Sequence, residues 1–365
     1  MAEAGSPTIL GIESSCDETA AAVVVGGTRV LSNIIATQDE LHERFAGVVP
    51  EIASRAHLER ITPVIEESLR RAEVRLDELE AIAVGHRPGL IGSLLVGVSA
   101  AKALAWSLNV PLIGIDHIHA HLYAGLLNAP APPYPALGLV VSGGHTSLFL
   151  VHDPLRVELL GKTIDDAVGE AYDKAATVLQ LGYPGGPKLD ALAQKGDDRS
   201  HDFPVAVLKD ADLDFSFSGL KTALLYAVRG KPVGRGAAAR FERDASSLTA
   251  REQADFAAAF QRAAIAALTR NLRRAIDRYP VKTLLVGGGV SANTLLRARL
   301  ADFAAEHALD LRLPERQYCL DNAAMIAGLA ALRYRRRDFD NLALSASARS
   351  IAGLPPQKRC QEPFS

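Results

Sequence analysis

The sequence predicts an α/β fold of two lobes with a cleft between them. Two stretches, 8–25 and 136–151, each read as a strand, a polar loop and a returning strand, and one lies near the start of each half. Helical patterns and further short apolar strands alternate after both hairpins. A chain of 365 residues suits about two domains. We therefore expect a duplicated fold, with the proline-rich segment 130–135 as its boundary.

The expected domains are an amino-terminal α/β lobe over 1–133 and a carboxy-terminal α/β lobe over 134–350. The last helix is able to pack back on the amino-terminal lobe, and 351–365 is expected to be a disordered tail. With 48% hydrophobic and 22% charged residues, the chain can bury a full core. Its net charge of −2 gives no global basic field, so any nucleic-acid contact must come from local patches.

Cysteine usage and the termini indicate a cytoplasmic protein without membrane contact. Cys16, Cys319 and Cys360 form no CxxC pair, which argues against a disulfide framework or a cysteine zinc site and suits a reducing compartment. The first residues lack a basic segment followed by an apolar one, as a signal peptide requires. The longest apolar stretch, 90–101, is interrupted by serines and is too short to span a bilayer.

In the first half, the elements follow one another from the hairpin to a group of histidines. The pattern predicts a strand over 8–12, a polar turn over 13–19, a strand over 20–25, a helix over 54–72, a strand over 79–84, a small-residue helix to Leu108 and a strand over 110–115. Glu51, Arg55 and His57 are expected on a solvated charged face of the first helix.

His117 and His121 are four residues apart, so on a helix they lie on one face, one above the other. Two imidazoles held in this way can grip a divalent cation together. Such pairs are also common as unrelated surface or core residues, and a metal site needs a third ligand. Ile118 stands where a metalloprotease of the HExxH type has its glutamate, which makes that type of hydrolysis unlikely.

The loop Val141-Ser142-Gly143-Gly144-His145-Thr146 joins two apolar runs. Two glycines between strands let backbone N–H groups close on a ligand without side chains in the way, as phosphate loops require. Hairpins with polar turns are frequent, so this loop alone does not establish a ligand site. A metal clamp beside a phosphate loop is the working hypothesis.

The second half continues with a predicted helix over 163–181, in which Asp166, Glu170 and Asp173 share one face. A solvated acidic stripe is the plain interpretation. The glycine–proline loop that follows opens another helix and brings the backbone near a ligand. Asp190, just inside that helix, suits a ribose, because a carboxylate accepts hydrogen bonds from a sugar diol. The segment DFSFSGLKT, 214–222, indicates no particular chemistry.

A long helix is predicted from Thr249 to about 278, opened by a capping box with Glu252. A strand over 282–286 then leads through three glycines to Asn293, which opens the next helix. Such a turn points free N–H groups and the helix dipole at an anion or nucleotide. The absence of a GxxxxGK[ST] pattern excludes the P-loop NTPases.

Near the carboxyl terminus, Asp321 precedes an apolar helix and is first of all an N-cap candidate. It is also the one carboxylate in this region that could complete a site of two histidines and one carboxylate. Two basic segments are open to interpretation. The first, 229–243, reads as a mobile loop, and the run 333–337 reads as a solvated helix end or a nucleic-acid patch.

Taken together, these motifs resemble the tRNA threonylcarbamoyladenosine transferase family, formerly called the glycoprotease or O-sialoglycoprotein endopeptidase family. The resemblance covers roughly 9–349 and rests on ESSCDET, GVVPEIASRAH, the stretch 102–122, VSGGHT, GEAYDK, GYPGGP, DFSFSGLKT, GGGVSAN and CLDNAAMIA in one order. It implies an actin-like, sugar-kinase-like (ASKHA) fold. The implied reaction transfers a threonylcarbamoyl group from threonylcarbamoyl-AMP to N6 of the adenosine just 3′ of the anticodon, in tRNAs that read codons beginning with A. Arg87 departs from the family pattern, which usually has glycine before the Pro-Gly-Leu turn, and could alter entry to the cleft or a partner contact.

Site residues follow from the matched motifs. The resemblance implies one divalent metal, with Fe(II) favoured and zinc possible, on His117, His121 and Asp321. It implies substrate binding by Val140, Val141, Ser142, Gly143, Gly144, Asp173, Gly186, Asp190 and Asn293. Glu13, Ser15 and His145, in the two hairpin loops, are candidates for catalytic or supporting roles.

The implied partners are the tRNA anticodon loop, threonylcarbamoyl-AMP, a paralogous scaffold subunit and a small ATPase. Two other functions remain open on the sequence. One is an ATP-dependent small-molecule kinase or ATPase of the same fold, which would need no tRNA. The other is a non-catalytic scaffold paralogue, which would be expected to lack the metal residues that this chain keeps.

Overall fold

The computed structural model describes residues 6–45, 47–206, 208, 213–234 and 240–350. The predicted tail over 351–365 and the centre of the basic loop, 235–239, lie outside the described residues.

The first lobe is built on a five-stranded mixed sheet in the order β3-β2-β1-β4-β5. Its strands are β1 (Thr8–Glu13), β2 (Thr19–Val25), β3 (Arg29–Ala36), β4 (Ala81–Arg87) and β5 (Leu112–Asp116). The hairpin strands β1, β2 and β3 are antiparallel, whereas β4 and β5 run parallel to β1. Its helices are α1 (Asp39–His42), α2 (Pro50–Ala72), α3 (Ile91–Leu108) and α4 (His117–Tyr123).

The second lobe repeats this plan in the order β10-β9-β6-β7-β8. Its strands are β6 (Ala136–Val141), β7 (Thr146–Asp153), β8 (Arg156–Lys162), β9 (Thr283–Gly287) and β10 (Asp310–Arg312). Its helices are α5 (Val168–Val178), α6 (Gly185–Ala193), α7 (Ser218–Arg229), α8 (Ala250–Ile276) and α9 (Thr294–Glu306), followed by α10 (Ala323–Arg335). Three antiparallel strands are again followed by two parallel ones. The two sheets therefore have the same strand order, and the predicted duplication is present.

Helix α10 belongs to the second half of the chain but packs on the sheet of the first lobe. Its residues Ala323, Ile326 and Ala327 share a buried cluster with side chains of β1, β2 and β4. Gly11 in β1 makes this close approach possible, because a Cβ at Gly11 would lie 2.9 Å from the backbone nitrogen of Ala327. The packing places Asp321, two residues before α10, beside the first lobe.

Most predicted elements are present, with shifted ends. Helix α2 begins at Pro50, four residues before the predicted start, because proline at the first position has a helical φ and needs no N–H partner. Helix α5 begins at Val168, five residues later than predicted. Thr249 does cap α8 in a capping box with Glu252.

Helix α3 is longer than the apolar stretch 90–101, which the sequence pattern predicts to be too short to span a bilayer. It continues to Leu108, and at 18 residues it is the one helix among the described residues that is long and apolar enough to cross a membrane by length and composition. Its face formed by Leu94, Val98 and Ala101 is buried against the first sheet. The rest of the helix is less buried, with a third of its residues buried in all, and Ile91, Leu95 and Trp106 are exposed.

The basic run 333–337 is the solvated helix end that the sequence suggested at Arg335, Arg336 and Arg337, which are exposed, but not at Arg333. Arg333 is 7% exposed and makes ion pairs with Asp338 at 2.7 Å and Asp340 at 2.9 Å. Arg335 donates to the carbonyl of Gly26 at 2.6 Å. Arg333 therefore ties the end of α10 to the segment that follows it, whereas Arg335 makes its contact on the surface, at the turn between β2 and β3.

Candidate functional site

The paired histidines lie on the short helix α4, which begins directly after β5. Asp116 is its N-cap, and one carboxylate oxygen accepts hydrogen bonds from the N–H groups of Ile118 at 3.0 Å and His119 at 3.4 Å. The rings of His117 and His121 are edge to face, with centroids 4.5 Å apart. Both side chains are buried. The predicted arrangement of two imidazoles on one helical face is confirmed.

Asp321 reaches these histidines from just before α10. Its Oδ1 lies 3.1 Å from Nε2 of His121 and 3.4 Å from Nε2 of His117. The three ligand atoms all lie within 4.8 Å of one another, so the three side chains could hold one metal ion. The N-cap interpretation of Asp321 is wrong. Asn322 caps α10 by accepting from the N–H of Met325 at 3.0 Å, which leaves the Asp321 carboxylate free to face the histidines.

Glu13, at the end of β1, fixes the orientation of His117. Its Oε2 lies 3.0 Å from Nδ1 of His117, and its Oε1 accepts from the N–H of Ser15 at 2.6 Å. The hydroxyl of Ser15 lies 3.3 Å from the same Nδ1. This carboxylate–histidine contact leaves Nε2 of His117 pointing at Asp321. Gly85 in β4 makes room for it, because a Cβ there would collide with the Glu13 carboxylate.

The electrostatics of the cluster favour positive charge. Burial alone would lower the pKa of His117, but the carboxylates of Asp321 and Glu13 raise this pKa well above its usual value. Burial opposes ionisation of Asp321, yet the two histidines hold its pKa well below the usual range. Burial and the neighbouring His117 lower the pKa of His121. The two carboxylates therefore favour a positive charge at this position, which a proton on His117 supplies when no cation is bound. A divalent cation on Nε2 would take the place of that proton, because imidazole binds metals in its neutral form, so the donor set fits a divalent cation.

The loop between β1 and β2 is held by buried hydrogen bonds on several sides. Ser14 donates its hydroxyl to the carbonyl of Ser93 at 2.9 Å, and the N–H of Leu90 donates to the carbonyl of Ser15 at 2.8 Å. His57 lies between Thr19 Oγ1 at 2.8 Å and the carbonyl of Cys16 at 3.0 Å. The start of α3 and a histidine of α2 therefore fix the loop that carries Glu13 and Ser15.

The expectation of a solvated face is wrong for His57, which is fully buried. Burial also lowers the pKa of its imidazole. Glu51 and the neighbouring Arg55 are exposed, as expected. The signal that could have identified His57 is its spacing, because it lies on the same helical face as the apolar Ile61 and Val64.

The corresponding loop of the second lobe presents backbone rather than side chains. Ser142 and His145 close it, with the Ser142 N–H donating to the His145 carbonyl at 2.8 Å and the His145 N–H donating to the Ser142 hydroxyl at 3.1 Å. Gly143 and Gly144 are exposed, and no described atom lies within 4 Å of a Cβ built on either. Val140 and Val141 have fully buried side chains, so only their backbone can reach a ligand.

His145 lies in this loop, where the charges of His117 and His121 act on it. Burial, together with the charges of His117 and His121, lowers its pKa to about 4. Its imidazole is therefore neutral at neutral pH and can accept a proton. The loop also contacts α5, whose Gly169 and Glu170 N–H groups donate to the carbonyls of Ser142 and Gly143 at 3.2 and 3.1 Å.

Four of the predicted substrate-binding residues lie in the helical part of the second lobe: Asp173 on α5, Gly186 and Asp190 on α6, and Asn293 just before α9. Asp173 accepts from the N–H groups of Gly185 at 2.9 Å and Gly186 at 3.2 Å, which fixes the loop before α6. One oxygen of Asp190 accepts from the N–H of Thr294 at 3.1 Å. The other oxygen is buried without a hydrogen-bond partner among the described residues, so it can accept from a ligand.

Asn293 is the N-cap of α9, as its sequence position indicates. Its Oδ1 accepts from the N–H of Leu296 at 2.9 Å, and its Nδ2 donates to Oε1 of Gln261 at 2.8 Å. Gln261, which is 2% exposed, therefore orients the carboxamide. This role was not predicted.

The acidic stripe expected on α5 is not one surface. Asp166 lies before the helix, where Lys174 and Lys221 contact it at 2.7 and 3.0 Å. Although burial would raise the pKa of Asp166, these two lysines lower it. Only Asp173 faces the loop at Gly186, and burial raises its pKa. The charge of Asp17 contributes to this rise in pKa, so the loop of the first lobe lies near α5.

Asp17 and Glu18 were missed as site residues. Burial raises the pKa of Glu18 well above its usual value, and the nearby charges of Asp321 and Asp17 add to this effect. Both belong to the motif ESSCDET, whose first residues had been singled out.

The segment DFSFSGLKT is a structural anchor. Phe215 and Phe217 are buried in the hydrophobic core of the second lobe. Ser216 and Ser218 donate their hydroxyls to Asp165 at 2.5 and 2.7 Å. Asp214 accepts from the N–H of Lys162 at 2.8 Å. Its contacts tie the start of α7 to the end of β8.

Comparisons with known sequences show the family of this chain. A sequence model of tRNA N6-adenosine threonylcarbamoyltransferase matches residues 29–328. The chain is 48% identical over 339 residues to the protein of that name from Moorella thermoacetica, covering 93% of this chain and 95% of the relative. It is 50% identical over 322 residues to that from Anaeromyxobacter sp., covering 87% and 92%.

Solved structures resemble the whole fold at low sequence identity. Full-length HypF matches with a TM-score of 0.56 at 14% identity, covering 94% of this chain and 47% of that one. Component A of (R)-2-hydroxyglutaryl-CoA dehydratase from Acidaminococcus fermentans matches with a TM-score of 0.53 at 12% identity, covering 90% and 98%. The two-lobed actin-like, sugar-kinase-like fold is thereby confirmed.

Proposed function

The chain belongs to the tRNA N6-adenosine threonylcarbamoyltransferase family, and we propose on this basis that it transfers the threonylcarbamoyl group of threonylcarbamoyl-AMP to N6 of the adenosine just 3′ of the anticodon. The products are the modified tRNA and AMP. One observation carries this proposal within the structure. His117, His121 and Asp321 meet from distant parts of the chain, and the same cluster acts electrostatically on His145 in the glycine loop.

The proposed metal ligands are His117, His121 and Asp321. A divalent cation held there supplies a Lewis acid for the acyl and phosphate oxygens. Two imidazoles and one carboxylate suit Fe(II), which we propose as the metal, and zinc also fits this set. Glu13 holds His117 with Nε2 directed at the site, and Ser15 supports the same ring nitrogen.

The glycine loop is proposed to hold the acyl-adenylate. The N–H groups of Gly143 and Gly144 are available on an exposed turn and can donate to phosphate or acyl oxygens as negative charge develops there. Ser142, with the backbone of Val140 and Val141, sets the position of that turn. Asp190 offers its unpartnered oxygen to ribose hydroxyls, while Asp173, Gly186 and Asn293 line the nucleoside end.

In the proposed reaction, the adenine N6 attacks the carbamoyl carbon. A nitrogen–carbon bond forms, the carbon–oxygen bond to the phosphate breaks, and AMP leaves with that electron pair. The imidazole of His145, which lies in the glycine loop, is the proposed acceptor of the proton from N6. The adenine must leave its stack to reach the cleft, as is usual for single-stranded RNA loops.

Partners and organisation complete the proposal. We propose the tRNA anticodon loop as substrate, and a paralogous scaffold subunit and a small ATPase as helpers. A surface for the scaffold is offered by exposed apolar side chains of α2 and α3: Leu58 at 66%, Ile91 at 50%, Leu95 at 51% and Trp106 at 74% exposure. We further propose a domain boundary between 133 and 134 and a cytoplasmic location.

The decisive experiment uses purified chain with threonylcarbamoyl-AMP, a tRNA transcript and the helper proteins, and measures modified nucleoside by mass spectrometry. His117→Ala should lose both bound metal and transfer. His152→Ala is the matched control, because His152 lies on β7 at the ion pair with Glu158, 3.4 Å away, and should leave both unchanged. Full transfer by His117→Ala without metal would refute the proposed site. Turnover of ATP with a small molecule, without tRNA, would instead support the kinase alternative.

A further inference from the structure

Helix α4 carries the proposed metal ligands His117 and His121 and is here called the metal helix. Through its N-cap, Asp116, it contacts two distant parts of the chain. One oxygen of the Asp116 carboxylate caps the helix, and the other is shared by two partners. Ser350 donates its hydroxyl to this second oxygen at 2.7 Å, and Nε of Arg87 lies 3.5 Å from it. The Asp116 side chain is only 4% exposed, so these contacts are shielded from solvent.

The segment 338–350, here called the carboxy-terminal strap, reaches Asp116 along the edge of the first sheet. Asp340 pairs with β5, because its N–H donates to the Leu112 carbonyl and its Oδ2 accepts from the N–H of Gly114, both at 2.8 Å. Further along, Ser345 and Ser347 exchange hydrogen bonds with His86 in β4 at 2.9 and 3.0 Å.

Packing and charge keep the strap on this edge. The side chain of Leu344 lies over Gly114, where a Cβ would come within 2.8 Å of it. Arg333 connects the strap to α10 through Asp338 and Asp340, and it also donates to the Gly114 carbonyl at 2.6 Å. The strap is therefore a fixed part of the first lobe, and its last described residue ends on the metal helix.

A helix as short as α4 is not stable by itself. It has seven residues, and isolated helices shorter than about 12 residues are marginal in water. Burial of Ile118, Ala120 and Leu122 holds the helix in the core, and the contacts of Asp116 hold its first turn, which carries His117. We propose that the carboxy-terminal strap and Arg87 are positioning elements that clamp Asp116 and thereby set the metal affinity of the His117/His121/Asp321 site.

This inference rests on the proposed metal site. It adds supporting residues that do not contact the metal-binding atoms of His117, His121 or Asp321. It also gives Arg87 a role in this chain. The guanidinium at the end of β4 neutralises a carboxylate that would otherwise be buried with one charged oxygen facing only a hydroxyl. A metal ligand is more tightly held when its supporting groups are fixed, and loss of such support lowers affinity.

The test is titration of metal-free protein with Co(II), followed by its visible absorption, in wild type and three strap variants. Ser350→Ala removes the hydroxyl and should weaken Co(II) binding about three- to ten-fold, the usual effect of one lost hydrogen bond. Ser350→Thr keeps the hydroxyl and should bind like wild type. Ser345→Ala is the matched control, because it makes the same chemical change in the strap while keeping the carbonyl that His86 contacts.

Thermal unfolding of the metal-free proteins accompanies each titration. Equal unfolding temperatures with weaker Co(II) binding only in Ser350→Ala would support positioning rather than a general loss of structure. Equal Co(II) affinity in wild type and Ser350→Ala would overturn the inference while leaving the metal site in place. Absence of Co(II) binding in wild type would overturn both the metal site and the inference.

Discussion

The two hairpin loops that face the cleft occupy equivalent places in the two lobes but work in opposite ways. The β1–β2 loop follows the first strand of the first sheet, and the β6–β7 loop follows the first strand of the second. In the first loop, Glu13, Ser14 and Ser15 are buried and hydrogen-bonded. In the second, Gly143 and Gly144 are exposed and carry no side chain.

This difference separates two tasks of the site. A side-chain loop fixes a protein group, here His117, and must itself be held from several directions. A backbone loop offers N–H donors to a ligand, so space around it is the useful property. The duplicated fold has therefore placed a loop that positions a side chain in one lobe and a loop that exposes its backbone in the other, where we propose that the ligand binds. Substitutions in the first loop should lower stability or metal affinity even without substrate. Substitutions in the second loop should leave both unchanged.

The largest expected effect is from crowding the first loop. In Gly89→Ala, the new Cβ would lie 2.5 Å from the carbonyl oxygen of Ser15, which is backbone and cannot rotate away. We expect the free energy of unfolding to fall by about 1–3 kcal/mol, as in overpacked cores. Urea unfolding measures this change. Gly47→Ala is the control, since nothing described lies within 4 Å of a Cβ there, and equal stability of both variants would contradict the held-loop description.

A smaller effect, on metal affinity, is expected when the β1–β2 loop keeps its shape but the carboxylate of Glu13 is replaced by an amide. Glu13→Gln retains the size of the side chain but removes the carboxylate that faces Nδ1 of His117. We expect metal affinity to fall about 10- to 100-fold, the usual cost of losing a supporting carboxylate. Competition with a chromophoric chelator measures it. Glu80→Gln, which alters an exposed carboxylate bonded to the Thr8 N–H, should not change the affinity. An unchanged affinity in Glu13→Gln would show that Glu13 does not support the ligand.

Local sequence signals were sufficient for much of the site and insufficient for its supports. The spacing of His117 and His121 and the position of Asn293 before a helix follow from helical geometry, so they could be read directly. Asp321 and Asn322 are both good N-cap residues, and only the tertiary position of α10 decides that Asn322 takes this role. The pairing with the histidines spans 200 residues, and no local pattern encodes it.

Burial of polar groups was the main source of error. His57 looked like part of a charged face because its neighbours are charged, whereas its partners lie in another element. The strap was invisible for a similar reason, since its contacts with Gly114 and Asp116 are made by isolated polar residues without periodicity. The fold class was easier, because the repeated hairpins and the alternation of helices and strands extend over the whole chain.

A smaller effect is expected on the pH dependence of stability, through the buried histidine that holds the β1–β2 loop. Burial lowers the pKa of His57, so the folded state keeps this imidazole neutral between Thr19 and Cys16. Below the unfolded pKa of about 6.5, the unfolded chain binds a proton that the folded chain does not, and stability falls as the pH falls. His57→Gln should therefore lose less stability than wild type between pH 7.5 and pH 5.5, both values about one unit from that pKa.

Urea unfolding at the two pH values gives this comparison. His152→Gln, which removes a histidine at the outer end of β7, should retain the pH dependence of wild type. A wild-type pH dependence in His57→Gln would mean that protonation of His57 does not oppose folding. The result would then weaken the description of the first loop as one fixed by a neutral buried imidazole.

The smallest effect on the fold is expected in the backbone loop. Gly143→Ala adds a methyl group where no described atom lies within 4 Å, so the free energy of unfolding should change by less than about 0.5 kcal/mol. The same methyl group occupies space beside the donors proposed for the acyl-adenylate, so the KM for threonylcarbamoyl-AMP should rise while metal content stays constant. Urea unfolding, metal analysis and initial rates measure the three quantities. A stability loss as large as that of Gly89→Ala would show that the two loops are held alike, because open space can accept a methyl group without strain and a packed loop cannot.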